Sequence, residues 1–220
     1  MSATVKDVMT TTVVSVRQEA RFKEIISVMR RRHISAFPVL DSANRVLGVV
    51  SEADLLLKEA FPPSPEDSRS PYLWRDRAKV AGLTAGELMT SPAITIEPDC
   101  PIDEAARVMH RQRVKRMPVV TGGARLVGIV SRVDVLGLYD RADGDIRAEI
   151  IHQLADAFAL DPGSITVQVV AGIVTLTGLV ESRPLAMNVL DTIWHTDGVV
   201  DVRDRLQYPR SGHAADTRGE

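Results

Sequence analysis

The sequence predicts an α+β protein in which one mixed unit is used twice, the copies packed as a pseudo-two-fold pair, with a smaller α+β domain after them. Three observations lead there. Gly48-Val49-Val50-Ser51-Glu52-Ala53-Asp54 recurs as Gly128-Ile129-Val130-Ser131-Arg132-Val133-Asp134, an 80-residue step. The same step carries Met9-Thr10 onto Met89-Thr90, Pro38-Val39 onto Pro118-Val119, and Val14 and Val16 onto Ile94 and Ile96, without a gap. After about Asp140 the repeat stops and a new alternation of apolar residues begins. Two copies are too few for a solenoid, which needs three or more. Pairing about a two-fold axis buries both apolar faces and leaves equivalent clefts between the copies.

Each element has its own signal. In the first copy Val13-Val14-Ser15-Val16 reads as a β-branched strand. Phe22, Ile25, Ile26 and Met29 stand at i, i+3, i+4 and i+7, one face of a helix running to Arg32. Ala36 to Leu40 and Arg45 to Val50 read as a hairpin turning at Asp41-Ser42-Ala43-Asn44. Ser51 to Ala60 is a second helix. The unit is strand, amphipathic helix, hairpin, helix, and Ile102, Ala105, Ala106 and Met109 repeat its first helical face. Between the copies, Pro62-Pro63-Ser64-Pro65 breaks regular structure, and Tyr72 to Lys79 reads as a short amphipathic helix with Trp74 covering an apolar edge.

The last part follows the order helix, strand, strand, helix, strand. Ile146, Ile150, Leu154 and Phe158 make the first helical stripe. Ile165, Val167 and Val169 alternate as a strand, Ala171-Gly172 turns the chain, and Val174, Leu176, Gly178 and Val180 alternate back. Arg183 to His195 is helical, and Val199 to Leu206 closes as a strand. The expected organisation is 4–61 and 85–140 for the two copies, 62–84 for a linker with a short helix, 143–208 for the last domain and 209–220 for a disordered tail.

Composition narrows the function. The chain of 220 residues is 45% hydrophobic and 25% charged with a net charge of -2, an ordinary globular balance that gives no general attraction to nucleic acid. Cys100 is the sole cysteine, which excludes an internal disulfide and a cysteine-rich metal site. No secretory signal and no membrane-length apolar run is visible, so a cytoplasmic location is expected. No Walker loop, G-x-G-x-x-G stretch or metal-spaced histidines occur, and no catalytic constellation is proposed.

Chemistry concentrates where strand meets helix. Ser51 and Ser131 stand at a helix N-cap position, with Asp54 and Asp134 three residues on. One reading is a cap, a serine and an acid serving the first turn. The other is a nucleotide grip, in which a carboxylate accepts the hydrogen bonds of a ribose diol beside a helix N-terminus. The copies differ just before the shared proline. The first has His33-Ile34-Ser35-Ala36-Phe37 and the second the strongly basic Arg113-Val114-Lys115-Arg116-Met117. A charge run of this kind is also what a solvated strand entry shows.

With Met-Thr, Pro-Val and the G-h-h-S-x-x-D stretch each present twice in register, the duplicated unit resembles the cystathionine β-synthase (CBS) domain, and the pair resembles a Bateman module over about residues 4–140. Val174-Thr175-Leu176-Thr177-Gly178-Leu179-Val180 and Gly198-Val199-Val200-Asp201-Val202 make the last part similar to a BON domain. The resemblance implies an adenosine nucleotide (AMP, ADP or ATP) in the clefts, held at the ribose by the motif Asp and at the phosphates by residues before the hairpin proline. It implies two composite sites. One groups Thr11 with Lys115, Arg116, Ser131 and Asp134; the other groups Ser91 with Ser35, Ser51 and Asp54. On this grouping the cleft with Asp134 holds the cations and should prefer phosphorylated adenosine.

The resemblance implies a regulatory, non-enzymatic module that requires no cofactor, forms a homodimer and signals through the last domain or an unidentified protein partner. Two other classes stand beside it: an interaction protein whose CBS pair only dimerises, and phospholipid association through the BON-like part. Against the last, residues 145–210 carry nine acids and five arginines, the wrong sign for anionic lipid, so membrane attachment is not expected.

Overall fold

A computed structural model of the protein describes residues 3–60, 79, 81–160 and 163–208. The expectations for Trp74, for most of the linker and for the tail after Pro209 lie outside the described residues. The chain divides into two compact units, Ala3–Val135 and the part from Leu136 onward.

In the first unit the elements are α1 (Val5–Val8), β1 (Val16–Arg17), α2 (Phe22–Arg32), β2 (Ala36–Leu40), β3 (Val46–Ser51) and α3 (Glu52–Ala60), then α4 (Ala85–Leu88), α5 (Ile102–Arg111), β4 (Arg116–Thr121), β5 (Arg125–Ser131) and α6 (Arg132–Leu136). The apolar stripe of α2 is buried at Ile25 and Met29, and that of α5 at Ile102, Ala105 and Met109. Both hairpins share one register: Ala36 pairs with Ser51 and Arg116 with Ser131, and each ladder shifts at an equivalent point, between Val39 and Leu40 and between Val119 and Val120. The opening strand is shorter than its β-branched run predicts. Only Val16 and Arg17 pair, in parallel with Val39 and Leu40, and its counterpart is a single bridge from Ile96 to Val119. The short helices α1 and α4 are not signalled by apolar periodicity. Each opens on an acid that accepts from the backbone before it: Asp7 from the Thr4 N–H at 2.8 Å, Glu87 from Leu83 at 2.7 Å and Thr84 at 3.0 Å. Hydrogen bonds from Thr4 hold Asp7, and those from Leu83 and Thr84 hold Glu87, below the ordinary carboxylate range.

The two-fold relation is visible in which residues meet. Thr10 bridges Ile129 and Thr90 bridges Val49; Thr4 bridges Pro101 and Thr84 bridges Arg21. Adding 80 to one partner and subtracting it from the other converts each bridge into its mate. Each copy therefore places its Met-Thr segment against the second hairpin strand of the other copy. This accounts for the paired Met and Gly of the repeat. A Cβ at Gly48 would lie 2.6 Å from Met89 Sδ and 2.7 Å from the Thr90 carbonyl oxygen. At Gly128 the corresponding contacts are Met9 and the Thr10 carbonyl, the latter at 3.3 Å. Gly48→Ala should cost about 1–3 kcal/mol by overpacking, and Gly128→Ala less, because the methionine can yield and the carbonyl is farther away. Thermal melts of the two variants check the order.

From Leu136 onward the elements are α7 (Asp143–Phe158), β6 (Ile165–Val170), β7 (Ile173–Leu179), α8 (Arg183–Trp194) and β8 (Asp201–Gln207). The sheet order is β6-β7-β8, with β6 antiparallel and β8 parallel to β7. The expected element order is therefore present. α7 ends at Phe158, before Asp161-Pro162-Gly163, because Ala159 turns left-handed at φ 50 and caps it. Ile146, Ile150, Leu154, Val174, Leu176, Val189 and Ile193 are buried in a core of this unit's own.

Candidate functional site

The site grows from the end of each hairpin. β3 finishes at Ser51 and α3 begins at Glu52. Asp54, in the first turn, turns back so that one carboxylate oxygen, Oδ2, accepts from the Ser51 N–H at 2.9 Å and the Ser51 hydroxyl at 2.6 Å. In the second copy Asp134 Oδ2 accepts from the Ser131 N–H and hydroxyl, both at 2.7 Å. In both copies the aspartate accepts from the serine, and in the second Ser131 Oγ also accepts from the Asp134 N–H at 3.4 Å, so the two residues cap reciprocally. Capping occupies one oxygen and leaves the other for a second task. Cap and grip are compatible.

Asp54 borders a cleft between the copies with a volume of about 300 Å³. Ser35 and Ser51 line it from the first copy, and Arg113, Lys115 and Arg116 from the second. This corrects the grouping expected from sequence, in which Lys115 and Arg116 joined Asp134. The physical reason lies at the two-fold axis. Arg116 pairs through its backbone with Ser131, yet its guanidinium crosses to the first copy, donating to Ser35 Oγ at 2.9 Å and the Ala36 carbonyl at 3.2 Å. Ala36 is Arg116's own counterpart, so the two meet at the axis. There the side chain lines the cleft beside Asp54. The first copy has alanine at this position and returns no cation. Among the described residues, the buried Nε of Arg116 has no hydrogen-bond partner. A buried guanidinium nitrogen in that state is unusual.

Of the other sequence candidates, Ser91 is exposed and donates to the Leu47 carbonyl at 2.8 Å, and Thr11 is exposed. Neither lines this cavity. Two residues not expected from sequence do the work at Asp54. Thr90 lines the cleft, and its hydroxyl lies 3.2 Å from Asp54 Oδ1. Lys79 forms an ion pair with the same oxygen and donates to the Thr90 hydroxyl at 2.8 Å. Thr90 was within reach of sequence reasoning, since it stands in the repeated Met-Thr pair. Lys79 was not, because it precedes the second copy and has no counterpart in the repeat. The clefts thus differ: both oxygens of Asp54 are engaged, whereas among the described residues only Oδ2 of Asp134 is.

The CBS domain family matches residues 5–60 and 85–141, and the BON domain family matches residues 142–210. This chain is a CBS-pair protein with a BON domain. The CBS pair is 28% identical over 149 residues to an uncharacterised protein of Methanocaldococcus jannaschii, covering 60% of this chain and 88% of that one. It is 29% identical over 139 residues to the chloroplastic CBS domain-containing protein CBSX1 of Arabidopsis thaliana, covering 57% of this chain and 59% of that one. Among solved structures, CBSX2 in complex with AMP superposes with a TM-score of 0.54 at 26% identity, covering 61% of this chain and 94% of that one. Each of these similarities spans between 57% and 61% of this chain. Among the described residues, no helix is long and apolar enough to cross a membrane.

Proposed function

We propose that the CBS pair is a regulatory module that binds an adenosine nucleotide in the cleft beside Asp54. The single observation that carries this reading is the arrangement around a cavity of about 300 Å³: a carboxylate at a helix N-terminus on one side, and the cations Lys115 and Arg116 on the other. That volume lies at the lower end of small-molecule sites. Asp54 offers acceptor oxygens to the ribose hydroxyls. Lys115 and Arg116 supply donors and positive charge to phosphate. The AMP complex of CBSX2, a relative at 26% identity, supports the ligand class. The Asp134 cleft, lined by Ser131, would be a weaker second site without those cations; Thr11 and Ser91 would act at the margins. Ligand binding would favour one arrangement of a CBS-pair homodimer by its difference in affinity for two states, and the BON domain or a protein partner would read the change.

Calorimetric titration of wild type and Asp54→Ala with AMP tests the reading. Losing charged hydrogen bonds at the ribose should weaken AMP at this cleft by about 1–3 kcal/mol. Identical isotherms would leave Ser51 and Asp54 as a helix cap alone.

A further inference from the structure

The ion pair between Lys79 and Asp54 is more than a surface contact. Their side chains are only 19% and 11% exposed, and Lys79 belongs to neither repeat. Its ammonium sits with the Thr90 hydroxyl on Oδ1 of Asp54, while Ser51 fills Oδ2. A ribose diol approaching Asp54 therefore meets a carboxylate whose two oxygens are already engaged. At Asp134 the serine again donates to Oδ2, and among the described residues no lysine or arginine pairs with it.

We propose that Lys79 is an internal competitor for the ribose site, so that a nucleoside must displace its ammonium from Asp54 to bind. This deepens the reading above and rests on it. Displacement costs every ribose ligand the same ion pair. A ligand with phosphate still gains from Lys115 and Arg116, whereas a bare nucleoside has no such return, so Lys79 raises a threshold that both must clear and that AMP clears with more binding energy in hand. Ligand occupancy is then registered at a residue of the segment joining the repeats.

Adenosine isolates the effect, because it has ribose but no phosphate for a released lysine to follow. The experiment uses the full chain in an Asp134→Ala background, so that the Asp54 cleft is the one titrated. Adding Lys79→Met, which keeps the aliphatic stem and removes the charge, should tighten adenosine about fivefold, the scale of a modest ion pair. Unchanged or weaker binding would overturn the proposal, since a lysine that merely positions Asp54 would be missed when removed. A third protein, Asp134→Ala with Asp54→Ala, separates the two claims. If it binds adenosine as well as Asp134→Ala does, Asp54 is not the ribose site, and both claims fall. If it binds worse while Lys79→Met brings no gain, only the competitor role falls. A second readout needs no variant that must fold. In wild type, adenosine at saturation should speed reductive methylation of Lys79 severalfold as its amine leaves Asp54, and an unchanged rate counts against the proposal.

Discussion

Gly178→Ala is expected to unfold the BON domain while leaving the CBS pair folded. Gly178 lies in β7, the central strand of its sheet, between Ile165 on β6 and Leu206 on β8. Its φ is 149, a backbone state that residues with a Cβ rarely adopt. A Cβ there would lie 2.9 Å from the Ile165 Cα and still closer to the Ser164 carbonyl oxygen. Both are backbone atoms, so no side chain can swing aside. The strand is held on both edges and cannot move away without breaking a ladder. Strain and overpacking together should cost about 2–5 kcal/mol, a large share of what a domain this small has to lose. The core of this unit contains only its own residues, and that of the first CBS copy contains none of them. A melt resolved into two transitions should therefore lose or lower one and keep the other. Gly144→Ala is the control: the residue is within α7, a Cβ there meets nothing within 4 Å, and the substitution should be neutral or slightly stabilising.

The second large effect is on binding. Lys115→Ala combined with Arg116→Ala should weaken AMP by about a hundredfold, the product of two charged hydrogen bonds at the lower end of their range. Adenosine should lose far less, because it has no phosphate. The AMP difference should shrink as salt rises, since Lys115 is exposed and screened. Arg116→Ala also removes donors from Ser35 and the Ala36 carbonyl, so some stability loss belongs to that half of the variant. Adenosine titration corrects for it: equal losses for AMP and adenosine would mean a damaged cleft rather than a lost phosphate contact.

Sequence alone determined the fold class, the two copies and the small domain after them, because these depend on patterns within a few turns of chain. The face of α2, the serine and aspartate at the strand-to-helix junction and the alternation of β6 and β7 each repeat a local period. The equivalence of the two hairpins also followed, since Gly48 and Gly128 mark the same place in each. The tertiary structure alone decided which cleft receives the cations. Arg116 and its counterpart Ala36 meet at the two-fold axis, and a side chain at an axis can enter one of two equivalent spaces; residue type cannot say which. It alone placed Lys79 on Asp54, because a residue outside the repeat has no counterpart to predict its position. The exchange of the Met-Thr segments between the copies followed from the family resemblance, which grouped Thr11 with Asp134 and Ser91 with Asp54, and not from the repeat pattern itself. A pattern that recurs every 80 residues is the same whether each copy closes on itself or on its partner, and the three-dimensional packing of Met9 over Gly128 and Met89 over Gly48 distinguishes the two.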